Sequence, residues 1–220
     1  MISTVIFDLD GLLADTERLH QQAYQAAFAR FGATLTAADY AAHWIRRGRG
    51  IEDYVGERGL HLDADRVRET KSVLYRQLVE SSVQPMPGAV ALLEHLAGRK
   101  TLALASSAYP DAVRSVIGAL AMTPYFAVIA TRGDVERIKP FPDLFLYVAT
   151  RLGVPPQDCV VLEDAEKGVV AARAAGMACI AVPNEHTRDN DFSQATLVLP
   201  SLAEVTLELL DTRLQARAAG

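Results

Sequence analysis

Val5-Ile6-Phe7-Asp8-Leu9-Asp10-Gly11 is the stretch of sequence that decides the fold. Its apolar residues predict a short buried strand, which stops at two carboxylates two positions apart and a glycine that lets the backbone turn. Carboxylates this close together repel each other and lose hydration, so they are stable only beside a cation or when one is protonated. The stretch therefore indicates chemistry at the end of a strand.

Composition and charge exclude several classes of function. The 220 residues are 50% hydrophobic and 22% charged, which predicts a folded chain with an α/β core and a smaller appended unit. The 22 basic and 27 acidic side chains give a formal charge of −5, so we expect neither nucleic acid nor a membrane as partner. Cys159 and Cys179 lie in apolar runs typical of buried free thiols. Without a signal-peptide pattern or a long apolar run, we expect a cytoplasmic protein.

The segment after the first strand has a helical pattern. Apolar residues recur at helical spacing between Arg18 and Phe31, and the pattern continues over 37–45, 51–58 and 64–80. Two prolines and a glycine over 85–88 then mark the return of the chain. We therefore predict a small all-helical cap domain, residues 15–83, inserted after the first strand.

The remainder alternates between apolar strands and helices. The predicted strands cover 101–105, 126–130, 159–162, 178–182 and 196–199, and the predicted helices cover 88–98, 110–120, 142–152 and 166–175, with a further helix at the C-terminus. Strands that are apolar throughout, separated by helices, are typical of a parallel sheet covered on both faces. The fold class is therefore α/β, a doubly wound parallel sheet, with a core domain formed by residues 1–14 and 84–220.

Polar residues follow several of these strands. Asp8 and Asp10 follow the first strand, Ser106-Ser107 follow the strand at 101–105, and Glu163-Asp164 follow the strand at 159–162. Lys139 lies in the loop after the strand at 126–130. A parallel sheet gathers these residues at one edge. Carboxylates to hold Mg²⁺, a hydroxyl and a lysine to hold phosphate oxygens, and a carboxylate nucleophile are what Mg²⁺-dependent phosphoryl transfer requires.

The motifs in this order resemble a known family. Asp8-Leu9-Asp10-Gly11 with Asp15-Thr16-Glu17, Ser106, Lys139-Pro140, and Glu163-Asp164 with Gly168 and Ala174-Ala175-Gly176-Met177 are similar to the haloacid dehalogenase (HAD) superfamily. The resemblance covers essentially the whole chain. It is closest to the branch with a helical cap that includes β-phosphoglucomutase and small sugar-phosphate phosphatases, and it implies a Rossmann-like HAD core.

The resemblance implies a role for each core residue. Asp8 would be the nucleophile and a metal ligand, and Asp10 the general acid and base, with its main-chain carbonyl on the metal. Ser106, with Ser107 beside it, would bind the transferring phosphoryl group, and Lys139 would balance negative charge around Asp8. The metal site would consist of Asp8, Asp10, Glu163 and Asp164, with Mg²⁺ as the cofactor.

Simpler interpretations stay open for some of these residues. A calcium loop would require further oxygen ligands where Leu12 and Leu13 stand, which disfavours that alternative for the first motif. Glu163-Asp164 could instead cap the helix that follows. Lys139 taken alone is an ordinary surface lysine, and only its place in the order of motifs favours the site.

Four residues of the predicted cap are candidate substrate contacts. Thr16 and His20 lie at the start of its first helix, although a surface role is an equal alternative for His20. Arg47 and Arg49 lie in a loop of three arginines and two glycines over 46–50, where guanidinium groups can reach substrate oxygens. A solvated charged face is the alternative for these arginines.

We therefore expect an Mg²⁺-dependent phosphatase that hydrolyses a small phosphorylated metabolite, a phosphosugar or similar, through an aspartyl-phosphate. The runner-up is a phosphomutase of the β-phosphoglucomutase type. Tyr109-Pro110 stand where such mutases tend to have Lys-Asn, which favours the phosphatase. A binding module without catalysis is a third alternative. A monomer and a small homo-oligomer are both compatible with the sequence.

Overall fold

The computed structural model describes residues 2–213, which belong to two compact units. One unit, called the core below, contains the chain up to Asp15 and from Gln84 onward, and the other, called the cap, is Thr16–Val83. Met1 and residues 214–220, which the sequence analysis included in the core domain, lie outside the described residues. The domain limits given above stay a prediction.

The sheet of the core is parallel, as predicted. The strands of the described residues are β1 (Thr4–Phe7), β2 (Ala14–Asp15), β3 (Gln84–Pro85), β4 (Thr101–Ala105), β5 (Val128–Ala130), β6 (Cys159–Glu163), β7 (Ala178–Ala181) and β8 (Leu197–Val198). Six of them form one sheet in the order β5-β4-β1-β6-β7-β8, and every neighbouring pair in it is parallel. The predicted α/β fold is confirmed, and β1 lies near the centre of the sheet.

Both faces of the sheet are buried. Ile6, Ala103 and Val161 belong to one apolar cluster, which the helices after β5 and β6 help to form. Because side chains alternate between the faces of a strand, Val5 and Phe7 point to the opposite face, and they are also fully buried. Covering helices on both sides explain why the strands are apolar at every position.

Helices connect the strands of the core and make up most of the cap. They are α1 (Glu17–Arg30), α2 (Ala37–Tyr40), α3 (Ile51–Glu57), α4 (Ala64–Ser82), α5 (Ala89–Leu96), α6 (Pro110–Ala119), α7 (Asp143–Leu152) and α8 (Glu166–Ala174). Pro110 opens α6 at a position where its missing N–H costs nothing. Gly153, with φ of +67°, ends α7 in the left-handed conformation that glycine adopts without strain. Each helix within the described residues is too short or too polar to cross a membrane.

The cap is helical, as predicted, and has its own apolar cluster. α1 packs along α4, and Phe28, Tyr40, Tyr54 and Val67 are buried together among the cap helices. The helix predicted over 37–45 is divided, because α2 has four residues and continues as a π-helical segment over Ala41–Arg46.

Several details of the core differ from the sequence prediction, among them β8, which is shorter than the predicted 196–199, and the described start of the predicted C-terminal helix, which is π-helical over Leu209–Arg213. The strand predicted over 126–130 begins only at Val128, since a 3₁₀ turn over Thr123–Tyr125 precedes it. The antiparallel pair β2 and β3 was not predicted, because strands of two residues show no periodicity. This pair places side by side the two points at which the chain leaves and re-enters the core.

Candidate active site

The carboxyl ends of three neighbouring strands carry most of the site residues predicted for the core. Asp8 follows β1, Ser106 follows β4, and Glu163 is the last residue of β6. β1 lies between β4 and β6, so Asp8, Ser106 and Glu163 lie next to one another at one edge of the sheet. Lys139 reaches the same place from the loop between β5 and α7, because its ammonium group contacts both carboxylates.

Lys139 connects the strand ends. Its Nζ lies 2.5 Å from Asp8 Oδ1, 2.7 Å from Glu163 Oε1 and 2.8 Å from the main-chain oxygen of Ala105. These three acceptors match the three N–H bonds of an ammonium group. Although burial opposes the charge, Asp8 and Glu163 hold the pKa of Lys139 above its ordinary value. Lys139 is therefore a charged, immobile group and not the surface lysine of the alternative interpretation.

The carboxylates of the site carry more negative charge than Lys139 can balance. Burial raises the pKa of Asp8 to about 7; Lys139 opposes this rise, whereas Glu163 and Asp10 add to it. Burial, then Glu163 and Asp8, raise the pKa of Asp164 well above its ordinary value. Each of these shifts reflects the cost of another negative charge in a buried cluster.

The cluster could hold a metal ion. Asp8, Glu163 and Asp164 are buried, and each offers an oxygen that lies within 4.8 Å of the oxygens of the other two. Carboxylate oxygens are hard ligands of the kind that Mg²⁺ prefers. A divalent cation would also supply the missing positive charge, so the residues present fit such an ion.

Both carboxylate oxygens of Glu163 have hydrogen-bond partners, which the sequence alone did not predict. Its Oε2 accepts the main-chain N–H groups of Asp164 and Ala165, each at 3.0 Å, and its Oε1 accepts from Lys139. Glu163 therefore satisfies the backbone just before α8, as the capping alternative proposed, and also takes part in the charged cluster. A Cβ atom on Gly168 would overlap the Glu163 carboxylate, which explains the glycine at that position.

Asp10 and Ser106 meet on the other side of Asp8. The Ser106 hydroxyl donates to Asp10 Oδ2 at 3.3 Å and accepts the N–H of Ala108 at 3.1 Å. Ser106 is buried, whereas Asp10 is half-buried. The neighbouring Ser107 has a buried hydroxyl without a hydrogen-bond partner among the described residues. The Ser106 hydroxyl and the Asp10 carboxyl therefore lie together beyond the ends of β4 and β1.

Asn184 is a residue of the site that the sequence analysis missed. It lies in the loop after β7, and its Nδ2 donates to Asp164 Oδ2 at 2.8 Å and to the main-chain oxygen of Gly11 at 3.0 Å. The rule that polar residues after a parallel strand reach the site applies to this position as well. The signal was weak because Asn184 is an isolated amide in a polar loop.

Thr16 and His20 belong to the cap, and the partners of the His20 ring lie within the same unit. Within the cap, His20 Nδ1 lies 2.8 Å from Lys71 Nζ, and the His20 ring stacks on Tyr75 with centroids 4.1 Å apart. Because an ammonium group can only donate, Nδ1 is the acceptor and the neutral ring carries its hydrogen on Nε2. Substrate contact by Thr16 and His20 stays a prediction.

Arg47 and Arg49 are anchored to a single carboxylate of the cap. Arg47 Nη1 lies 3.0 Å from Glu57 Oε2, and Arg49 pairs with Oε1 of the same residue. The buried His43 supports this arrangement, since it lies 3.1 Å from Arg47 Nη2 and 2.8 Å from the main-chain oxygen of Gly50. The two guanidinium groups are about half exposed, and their contact with substrate stays a prediction.

The comparison with protein families decides the classification. The model of the haloacid dehalogenase-like hydrolases matches residues 2–176, which include the charged cluster of Asp8, Lys139, Glu163 and Asp164 but not Asn184. The chain belongs to this family. The predicted HAD superfamily membership is therefore confirmed.

Individual relatives of this HAD-like hydrolase are similar over most of their length. Fructose-1-phosphate phosphatase YqaB of Escherichia coli is 31% identical over 81% of this chain and 95% of its own. A crystal structure of CbbY from Rhodobacter sphaeroides in complex with phosphate is 30% identical, with a TM-score of 0.81 over 93% of this chain and 96% of its own. A mutant of the same protein was crystallised with xylulose-1,5-bisphosphate, at 28% identity and a TM-score of 0.80 over the same shares.

A mutase is also similar to this HAD-like hydrolase. The crystal structure of β-phosphoglucomutase from Clostridium difficile is 26% identical and has a TM-score of 0.78, with both chains fully covered. Hydrolase membership and the phosphatases among the relatives confirm the predicted enzyme class.

Proposed function

We propose that this protein is a Mg²⁺-dependent phosphatase that hydrolyses a small phosphosugar through an aspartyl-phosphate on Asp8. The observation that carries the proposal is the buried cluster in which Lys139 joins Asp8 to Glu163, beside Asp164. Such a cluster holds a nucleophile in place and leaves an excess of negative charge for a divalent cation. The proposed ligands of Mg²⁺ are Asp8, the main-chain carbonyl of Asp10, Asp164 and Glu163, and when bound the ion neutralises charge on phosphate oxygens.

Asp8 and Asp10 have complementary roles in this proposal. An oxygen of Asp8 attacks phosphorus and forms an acyl phosphate, while the bond from phosphorus to the sugar oxygen breaks. Asp10 gives its proton to the departing sugar oxygen. In the second half, Asp10 takes a proton from water as that water attacks phosphorus, which releases inorganic phosphate and restores Asp8.

Lys139 and Ser106 support these steps. Lys139 holds Asp8 Oδ1 and favours the anionic form of the nucleophile, since the ammonium group opposes the larger effect of burial on the pKa of Asp8. The Ser106 hydroxyl reaches Asp10 Oδ2, which supports the proposal that it binds a phosphoryl oxygen during the reaction. Donors fixed before the reaction stabilise developing charge without reorganisation.

The substrate class follows from the relatives. YqaB is a fructose-1-phosphate phosphatase, and CbbY was crystallised with phosphate and with a pentulose bisphosphate. For this chain we therefore propose a sugar carrying at least one phosphate monoester.

A panel of phosphosugars incubated with enzyme and Mg²⁺ tests the proposal. We expect release of inorganic phosphate from at least one sugar, and loss of release in EDTA. The variant Asp8→Asn should lower kcat by about 10⁴-fold or more, with unchanged circular dichroism as proof of folding. Full turnover by folded Asp8→Asn would refute the aspartyl-phosphate and favour a binding module with a contaminating activity.

A phosphomutase is the second candidate, because β-phosphoglucomutase matches the chain over its full length. In a mutase the phosphoryl group on Asp8 returns to another hydroxyl of the sugar before water attacks. Isomerised sugar without free phosphate, or turnover that requires a bisphosphate primer, would establish this function instead of the phosphatase.

A further inference from the structure

We propose that Asn184 is a positioning residue that restricts Asp164 to one ligating oxygen and so favours Mg²⁺ over Ca²⁺. The proposal rests on the proposed function, because it concerns the metal site of the same enzyme. It also assigns a role to the loop after β7.

The orientation of the Asn184 amide is fixed by its partners. Nδ2 donates to Asp164 Oδ2 at 2.8 Å and to the Gly11 carbonyl at 3.0 Å, while Oδ1 accepts the main-chain N–H of His186 at 2.8 Å. A flipped amide would place an oxygen against two other oxygens and an NH₂ group against an N–H, so only this orientation is compatible with the network. The main chain of Asn184 is also held, because its N–H donates to Thr187 Oγ1 at 3.1 Å.

The surroundings leave little space for Asp164 to rotate. A Cβ atom on Gly11 would lie 2.6 Å from Asp164 Oδ2 and 2.7 Å from Asn184 Nδ2. Gly11 also has φ of +88°, where other residues are strained. The loops after β1, β6 and β7 therefore meet at the Asp164 carboxylate, and the Asn184 amide occupies Oδ2.

This arrangement has a consequence for the choice of metal. Ca²⁺ takes six to eight oxygen ligands and readily accepts both oxygens of one carboxylate, whereas Mg²⁺ requires six ligands at shorter distances. An amide bound to Oδ2 of Asp164 disfavours chelation by both oxygens and leaves Oδ1 for single-oxygen ligation. Groups that hydrogen-bond a ligand in this way typically change metal affinity by about 10- to 100-fold.

Isothermal titration of the metal-free enzyme with Mg²⁺ and with Ca²⁺ tests the proposal. Asn184→Leu has a similar volume but no donor. We expect its Mg²⁺ dissociation constant to rise about 10- to 100-fold and the preference for Mg²⁺ over Ca²⁺ to fall at least about tenfold. Unchanged constants, or equal weakening for both ions, would overturn the proposal.

Two further variants make the result independent of folding. Asn184→Ala also removes the donor and adds no charge, so the preference should again move toward Ca²⁺ if Asn184→Leu does not fold. Asn190→Leu is the matched control, since the Asn190 side chain accepts the N–H of Glu166 at 3.1 Å in the same loop. We expect this control to keep the preference of the wild type, and a shift as large as that of Asn184→Leu would overturn the proposal.

The same titration distinguishes the two proposals from each other. A wild-type enzyme that binds neither ion and releases no phosphate would refute the proposed function and this inference together. A wild-type enzyme that binds Mg²⁺, with Asn184 variants that bind both ions unchanged, would refute only the role of Asn184.

Discussion

Two charged clusters, one in the core and one in the cap, are built in opposite ways. In the core a single cation, Lys139, is shared by the carboxylates of Asp8 and Glu163. In the cap a single carboxylate, Glu57, is shared by the guanidinium groups of Arg47 and Arg49. The core cluster therefore has an excess of negative charge, and the cap cluster has an excess of positive charge.

The two charge imbalances differ greatly in free-energy cost, because the core cluster is buried and the cap cluster is exposed. The Lys139 side chain is 1% exposed, whereas those of Arg47 and Arg49 are 46% and 50% exposed. A buried charge without compensation costs several kcal/mol, but an exposed one is solvated by water and screened by salt. The charge imbalance of the core cluster is therefore costly unless a further cation offsets it, whereas the imbalance of the cap cluster costs little.

Replacing Lys139 should change the stability of the core cluster more than any change in the cap cluster. Lys139→Met leaves Asp8 and Glu163 buried without their shared cation, so we expect the free energy of unfolding in EDTA to fall by about 3 kcal/mol. Because Mg²⁺ supplies the missing charge, the loss should shrink when the ion is added. We expect kcat to fall by about 10²- to 10³-fold. Urea denaturation with and without Mg²⁺ measures the loss of unfolding free energy under each condition.

Lys100→Met is the matched control for that experiment. Lys100 is also nearly buried and pairs with Asp211, but it lies at the opposite end of the sheet, where it donates to the main-chain oxygen of Ile2. Its loss should destabilise the protein equally with and without Mg²⁺. A Mg²⁺-independent loss in Lys139→Met as well would contradict the charge imbalance of the core cluster.

Gly168→Ala should have an intermediate effect on the core cluster. The new methyl group would overlap the Glu163 carboxylate, which must then leave Lys139 or push α8 away, at a cost of about 1–3 kcal/mol. Gly118→Ala in α6 is the control, because a Cβ atom there meets nothing within 4 Å and should stabilise the helix by up to about 1 kcal/mol. Thermal unfolding gives the change in Tm for each variant. Equal changes in Tm would show that Glu163 has room to move.

Replacing an arginine of the cap cluster should have the smallest effect, limited to KM. If Arg49 contacts the substrate, as the sequence predicts, Arg49→Ala raises KM roughly fivefold and leaves kcat and thermal stability unchanged. Arg114→Ala is the control, since Arg114 is an exposed arginine that pairs with Asp111 in α6. Steady-state kinetics on the preferred phosphosugar measures both variants. An unchanged KM in Arg49→Ala would assign the arginines to a solvated face.

The sequence predicted the fold and part of the site where acidic residues follow a clear run of apolar residues. Apolar strands that end in Asp8 or Glu163 predicted both the parallel sheet and the edge at which the site lies. The contacts of Asn184 and the overlap at Gly168 could not be predicted, because they depend on how loops far apart in sequence pack against one carboxylate. The π-helical segment after α2 was missed for a related reason, since its apolar residues fit an ordinary helix equally well.

The position of β1 in the sheet has a consequence for how the protein is made. Thr4 in this strand pairs with Thr101 on one side and Cys159 on the other, so β1 must wait for two partner strands that are synthesised later. The cap is a continuous segment with its own buried cluster, and it can collapse while β1 still has two open edges. Open apolar edges invite association between chains. Until β4 and β6 have been made, the strand that ends at the proposed nucleophile is therefore an aggregation hazard.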